Sequence, residues 1–342
     1  MGSAYCNKQC MKQTGNASVE ETFLAPPRVK LNEPAELLSV IPAMLGFKPK
    51  ESVVIMVIEN NCVEVTIRMD ICQLEFDLER FIDLREKYPG ALFFVAAYSV
   101  DLGLASSCAE RIERLVGDAL MMSVVSNGRS FWIRGEAEPR RRPVPEISLT
   151  ARAEFAGAGM RMFEDRSDLV ALVQPAEGEL ANENMVLMAE LVEEITTMKE
   201  KDAVERFKFL MANQEVLSKR QLLEIGMLTS RYWTLICALS RISNRRAIRE
   251  CELWQKVCRQ MPKQYALTAI ALTAISAWAG GNGALQSICL DIGSQIDPNS
   301  VLLQIPITAN QMLQPPTEWE PMRQIFLSEF LNWQDTFEKA EV

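Results

Sequence analysis

Residues 52–58 read Ser-Val-Val-Ile-Met-Val-Ile, an unbroken apolar, β-branched run that predicts a strand covered on both faces. The pattern then changes to alternation. Val63, Val65, Ile67 and Met69 are apolar against Glu64, Thr66 and Arg68. This predicts a half-exposed second strand, hairpin-paired to the first through Glu59-Asn60-Asn61. Upstream, residues 33–45 predict a short helix with Pro34 in its first turn, where a missing N–H costs nothing. Leu37, Leu38 and Ile41 form its inner face, Pro42 limits its regularity, and Gly46 ends it. Downstream, the pattern predicts a helix over 74–87, a buried strand over 91–98 and an amphipathic helix over 102–116. Strands over 121–126 and 130–134 follow, joined by Asn127-Gly128, a strong hairpin signal. The order α-β-β-α-β-α-β-β implies an α/β N-terminal domain built on a mixed sheet.

Residues 136–145 hold three prolines and Arg140-Arg141-Arg142, which predicts a loop or linker. Short helices are expected over 148–157 and 167–172, with Ser148 and Ser167 as N-caps. After Pro175 the pattern shifts. From 182 to 313 nearly everything has helical spacing, with breaks near Asn213, Ser243-Asn244, Pro262, Gly280–Gly283 and Pro298. Helices joined by such short loops pack antiparallel, so an all-α helical domain is expected here. Pro315-Pro316 closes it, and an aromatic-bearing helix follows with Trp319, Phe326, Phe330, Trp333 and Phe337. The expected organisation is a flexible arm over 1–30, an α/β domain over 31–175, a helical domain over 176–316 and a terminal helix over 317–342.

Composition adds limits. The chain is 48% hydrophobic and 24% charged, ordinary for a globular protein. Its net charge of -9 disfavours bulk binding to phosphate backbones or anionic membranes. Nine cysteines, an odd count with no apolar leader before them, read as reduced thiols in a cytoplasm. The most apolar uncharged stretch, 265–280, is shorter than the ~20 residues of a membrane span. It reads as a buried core helix.

The chain contains no histidine. Ser-His and Cys-His nucleophiles, the usual zinc sites and the iron facial triad are therefore out of reach. Carboxylate, lysine or all-cysteine chemistry is left. Cys6 and Cys10 form one close pair and Cys251 and Cys258 share a helix face, but a structural zinc needs four ligands. No phosphate loop of the G-x-x-x-x-G-K-[ST] type occurs, and Gly280–Gly283 follows a helical run, as a helix cap does. No metal or cofactor is expected. Arg241, Arg245 and Arg249 recur at intervals of four with Arg246 beside them. On one helix face they would form an anion or nucleic-acid stripe, or else a solvated face paired to Glu250 and Glu252. Arg140–Arg142 carries the same two readings. Glu190, Glu193 and Glu194 are expected on a solvated helix face.

The stretch from Leu31 carries Pro34-x-x-Leu37-Leu38, then Pro42-x-x-Leu45-Gly46-Phe47-x-Pro49-x-x-Ser52-Val53, then Arg68-x-Asp70. It resembles the opening of the actinobacterial domain-of-unknown-function family 4192. Gly128-Arg129 with Phe131-Trp132, Leu253-Trp254, Ala277-Trp278-Ala279, Gly281-Asn282-Gly283-Ala284, Asp297-Pro298 and Pro315-Pro316-x-x-Trp319 extend the likeness over about 31–319. The family's cysteine- and glycine-bearing stretch after the Arg-Trp region is matched here by 135–145, which has no cysteine. The resemblance implies an actinobacterial or actinophage origin and brings no activity with it. Most of the motif reads as fold maintenance, and Arg68 with Asp70, at a strand end, is its best candidate for a polar ligand pair. Ala274, Leu290, Gly293 and Asp297-Pro298 are similar to a tetratricopeptide-like helix pair.

The function expected from all this is a non-enzymatic, cytoplasmic interaction or regulatory protein. Its partner would be another protein, or a second copy of this chain, and not a membrane. The alternative is a small-molecule or nucleotide-binding protein, with carboxylates or arginines as its chemistry. A third reading is nucleic-acid binding through Arg241, Arg245 and Arg249.

Overall fold

The computed structural model describes residues 29–31, 33–73 and 84–340. Nearly all of the expected arm over 1–30, with Cys6 and Cys10, and most of the expected helix over 74–87 lie outside the described residues. The chain divides into two compact units, one ending at Arg166 and the other beginning at Ser167.

The first unit is built on a mixed six-stranded sheet, as the alternation of strand and helix patterns implied. Its strands are β1 (Ser52–Glu59), β2 (Cys62–Asp70), β3 (Leu92–Tyr98), β4 (Leu120–Ser126), β5 (Ser130–Ile133) and β6 (Arg142–Pro143), in the order β2-β1-β3-β4-β5-β6. β1 lies between β2 and β3 and is buried from Ser52 to Ile58, which is why it carries no polar alternation. The β1–β2 hairpin turns on Asn60 and Asn61, with φ of 51° and 61°. Asparagine tolerates this left-handed region better than other side chains, and the geometry matches the strand twist. Among the described strands of the sheet, only β3 and β4 pair in parallel. A parallel pair needs a crossover, and α2 (Leu102–Val116) supplies it. Ala105, Cys108, Ala109, Ile112 and Val116 form its buried face, against β3 and β4.

Before the sheet, α1 (Leu37–Leu45) follows a 3-10 turn opened by Pro34 and ends at Gly46, whose φ of 81° is left-handed. Phe47, buried, then pairs with Phe163, whose N–H donates to the Gly46 carbonyl at 2.7 Å. α3 (Leu149–Gly157) is capped by Ser148 as expected. One expectation is corrected. Residues 136–145 are not simply a loop, because Arg142–Pro143 pairs with β5 as an edge strand. Proline is tolerated there because an edge strand leaves one row of N–H positions unpaired.

The second unit is helical. After α4 (Arg166–Ala171) come α5 (Gly178–Thr197), α6 (Glu200–Ala212), α7 (Lys219–Leu228), α8 (Tyr232–Arg241), α9 (Ala247–Gln260), α10 (Leu267–Ala279), α11 (Gly283–Ile296), α12 (Val301–Gln311) and α13 (Trp319–Ala340). α10 is the uncharged run read as a core helix, and it is buried continuously from Ala269 to Ala279 against α9 and α11. Gly281, with φ of 78°, reverses the chain, and Asn282 caps α11. Gly293 lets α11 close on its neighbours: a Cβ there would sit 2.8 Å from Leu303 Cδ1 and 3.4 Å from Ile270 Cγ2. α13 packs along α8, where Trp233 and Trp333 stack at 4.8 Å between ring centroids. Trp319 at its start is fully buried and donates its indole N–H to the Ile242 carbonyl. Among the described residues no helix is long and apolar enough to cross a membrane.

Candidate functional site

Arg68 and Asp70 lie on one face of β2, two residues apart, and form an ion pair of 2.5 Å. The Arg68 guanidinium also stands 5.6 Å from the Phe47 ring centroid and reaches the Lys50 carbonyl at 3.4 Å. The Gly46-Phe47 corner and the Arg68-x-Asp70 segment, separate in sequence, are therefore one packed structure. Arg68 is only 13% exposed and Asp70 38%. The pair's evident work is to pin the α1–β1 connection to the edge strand.

Strand ends of an α/β sheet are common ligand positions, with phosphate bound at the following helix's N-terminus. After β3 that place is filled by the chain itself. The Asp101 carboxylate accepts from the N–H groups of Gly103 at 2.9 Å and Leu104 at 3.1 Å. Glu51, held at a left-handed φ of 41°, accepts from Val100 N–H at 3.0 Å and from the Ser99 hydroxyl at 2.7 Å. Two carboxylates thus occupy the donors a phosphate would use, and their charge repels anions.

A cavity of about 520 Å³ opens beside β5 and β6. Met122, Phe131, Ile133, Pro143 and Pro145 make it apolar, with Glu33 and Glu36 among the polar lining. Arg142 also lines it but is held by Glu136 through two hydrogen bonds of 2.9 and 2.6 Å. That arginine keeps the Glu136 carboxyl below its ordinary pKa. The Arg140–Arg142 run is thus placed on the sheet edge: Arg141 donates to the Ser130 hydroxyl at 2.9 Å. The cavity draws on the 3-10 turn before α1 and on β4, β5 and β6, and it is not legible in the sequence because it joins segments about a hundred residues apart.

The expected arginine stripe is corrected. Arg241 is the last residue of α8, Arg245 lies in the connection, and Arg249 is in α9. A helix break at Ile242 ends the four-residue repeat, so the three do not share a helix face. Arg241 and Arg246 instead converge on Glu250, at 3.1 and 3.6 Å from its Oε1. Glu250 was expected on a solvated face, yet it is fully buried. Burial pushes its carboxyl pKa up, opposed by Arg241 and Arg246. Its Oε2, Trp254 Nε1 and Thr234 Oγ1 are buried with no hydrogen-bond partner among the described residues. Arg249 pairs with Glu215 at 3.0 Å. Buried arrangements of this kind hold helices in register at a desolvation cost.

Cys251 and Cys258 do share a face of α9, both buried against Thr273 of α10. Burial pushes each thiol up to about 12, far from a reactive thiolate. Among the described residues no set of three or more cysteines and carboxylates is placed to hold a metal ion.

The feature that sequence reading passed over is α5. Its buried stripe is Asn184, Met188, Leu191 and Ile195, packed chiefly on α7. One residue further on, Met185, Ala189, Val192 and Thr196 repeat the same spacing on the exposed side. Met185 and Val192 are 42% and 46% exposed, and nearby Val186 is 63% exposed. Glu190, Glu193 and Glu194 are solvated as expected, Glu193 beside the stripe and the other two turned to the far side of the helix. The doubled spacing was present in the sequence, but periodicity alone does not say which of two adjacent stripes is covered.

No curated protein and no solved structure matches this chain. A family model described as a domain of unknown function, DUF4192, matches residues 34–317 and so takes in the α1 turn, the whole sheet, the cavity and the helices through α12. The chain belongs to the DUF4192 family.

Proposed function

We propose that this is a cytoplasmic, non-enzymatic protein that works by binding another protein through its helical unit. The observation that carries this reading is the second apolar stripe of α5, exposed at Met185 and Val192 while the parallel stripe one residue earlier is buried. Exposed apolar residues scattered singly are ordinary, whereas a stripe of helical spacing has the form of a docking seam. The strongly interacting ionisable groups support the same reading. Glu250 with Arg241, Arg68 with Asp70, and Asp101 with its helix N-terminus each spend their capacity on the fold. The test is capture from native lysate with the tagged full chain, beside a Val186→Asp/Val192→Asp variant. A partner held by the wild type and lost by the variant is expected. Elution of the wild type as a lone monomer with no partner overturns the proposal.

A second reading, small-molecule binding, is favoured by the 520 Å³ cavity with its apolar lining around Phe131. A thermal-shift screen of metabolites against wild type and Phe131→Ala decides it. A shift present in the wild type and absent in the variant supports it, and no shift removes it.

A further inference from the structure

We infer that the cavity beside β5 and β6 takes a small molecule with an apolar body and an ammonium group, the ammonium held at Glu33. This rests on the second reading above, small-molecule binding, and specifies the ligand's chemistry. The register of β4 and β5 pairs Val124 with Ile133 and Ser126 with Phe131, so Met122, Phe131 and Ile133 share one face of the sheet. The next residue, Arg134, turns to the other face and pairs with Glu113 of α2. The cavity therefore lies on the face away from α2, bounded by the 3-10 turn Pro34–Glu36 and by Pro143 and Pro145. Its volume of about 520 Å³ falls within the ~300–1,000 Å³ of small-ligand sites.

The charged lining residues are Glu33, Glu36 and Arg142, and they are not equivalent. Arg142 pairs across from Phe131, but both its terminal nitrogens donate to Glu136, at 2.9 and 2.6 Å. Through those hydrogen bonds each partner holds the other charged, the arginine's pKa raised and the glutamate's lowered. A ligand carboxylate or phosphate would have to displace Glu136 and break that forked pair. Glu36 is engaged in an interaction of its own. Glu33 stands at the N-cap of the 3-10 turn, where a carboxylate can accept from backbone N–H groups, yet its side chain caps nothing. It is exposed at the cavity's lip, an acid the turn does not use. An anion entering there meets Glu33 and Glu36, and a neutral molecule gains only apolar burial. A cation with an apolar body satisfies both the wall and the lip. Because Glu33 is in water, its ion pair contributes a factor of up to about five, and the apolar wall supplies the rest of the affinity.

The test uses the full chain and indoles of one shape: tryptamine, neutral 3-propylindole and indole-3-propionate. Saturation-transfer NMR titrations are read for wild type, Glu33→Gln, Glu33→Lys, Ile133→Asn, and Glu86→Gln as an exposed acid outside the cavity. Circular dichroism melts confirm that each variant is folded. Tryptamine is expected to bind the wild type about fivefold more tightly than indole-3-propionate, with 3-propylindole between them. Glu33→Gln should remove most of that gap, Glu33→Lys should reverse it, and Glu86→Gln should leave it. Ile133→Asn should weaken all the indoles by at least about threefold. If no indole binds the wild type, the inference and the small-molecule reading both fall. Equal binding of the indoles, or a gap that survives Glu33→Gln, overturns the ammonium assignment and leaves the cavity reading standing. A gap that Glu86→Gln also removes marks a general attraction to an acidic protein and overturns the inference. Binding untouched by Ile133→Asn puts the indoles outside the cavity and overturns it as well.

Discussion

Glu250 shows how one side chain changes meaning between sequence and structure. In the sequence it is one of several acids near arginines; in the fold it is fully buried with a carboxyl pKa raised above 4.5. The folded state therefore binds its proton more readily than the unfolded chain does. Its contribution to stability is most favourable below 4.5 and is lost as pH rises through the folded value. We expect the stability of wild type relative to Glu250→Gln, measured by urea unfolding, to decline from pH 4.5 toward neutrality. A flat difference would mean that Arg241 and Arg246 cancel the burial cost. The thiols give a second residue-scale expectation. Iodoacetamide should modify exposed Cys72 in the folded protein and spare Cys251, Cys258 and Cys289 until urea unfolds it, as read by peptide mass spectrometry. Early labelling of Cys251 would show that the α9–α10 contact opens readily.

At the scale of elements, the sequence was most legible where one physical cause dominates. The bounds of α2 are those the amphipathic pattern predicts, Leu102–Val116, because its apolar face is continuous and Asp101 caps its first turn. The Asn60-Asn61 hairpin and the Gly46 cap were legible because few residues accept their backbone angles. The arginine repeat misled because a period of four assumes an unbroken helix, and Ile242 with ψ of 70° breaks it. Ser243-Asn244 had already marked that break, so the repeat and the break were in conflict within the sequence itself. Helix contacts yield a prediction as well. Gly293→Val puts side-chain carbon where Leu303 and Ile270 already sit, and overpacking of that kind costs about 1–3 kcal/mol. Thermal unfolding should show a lowered Tm. An unchanged Tm would mean that α11 and α12 can move apart at no cost.

At the scale of the whole molecule, the division at Arg166 separates a sheet unit from a helical one. Fold class, the first five strands, the core helix expected over 265–280 and the exclusion of histidine chemistry followed from sequence by itself, since each depends on local pattern or composition. Tertiary structure alone decided that Arg68 stacks on Phe47, that Glu250 is buried, that a cavity forms beside β6, and which stripe of α5 stays open. Burial and pairing are set by what arrives from distant parts of the chain, and a one-dimensional pattern carries the period of a face without naming its neighbour.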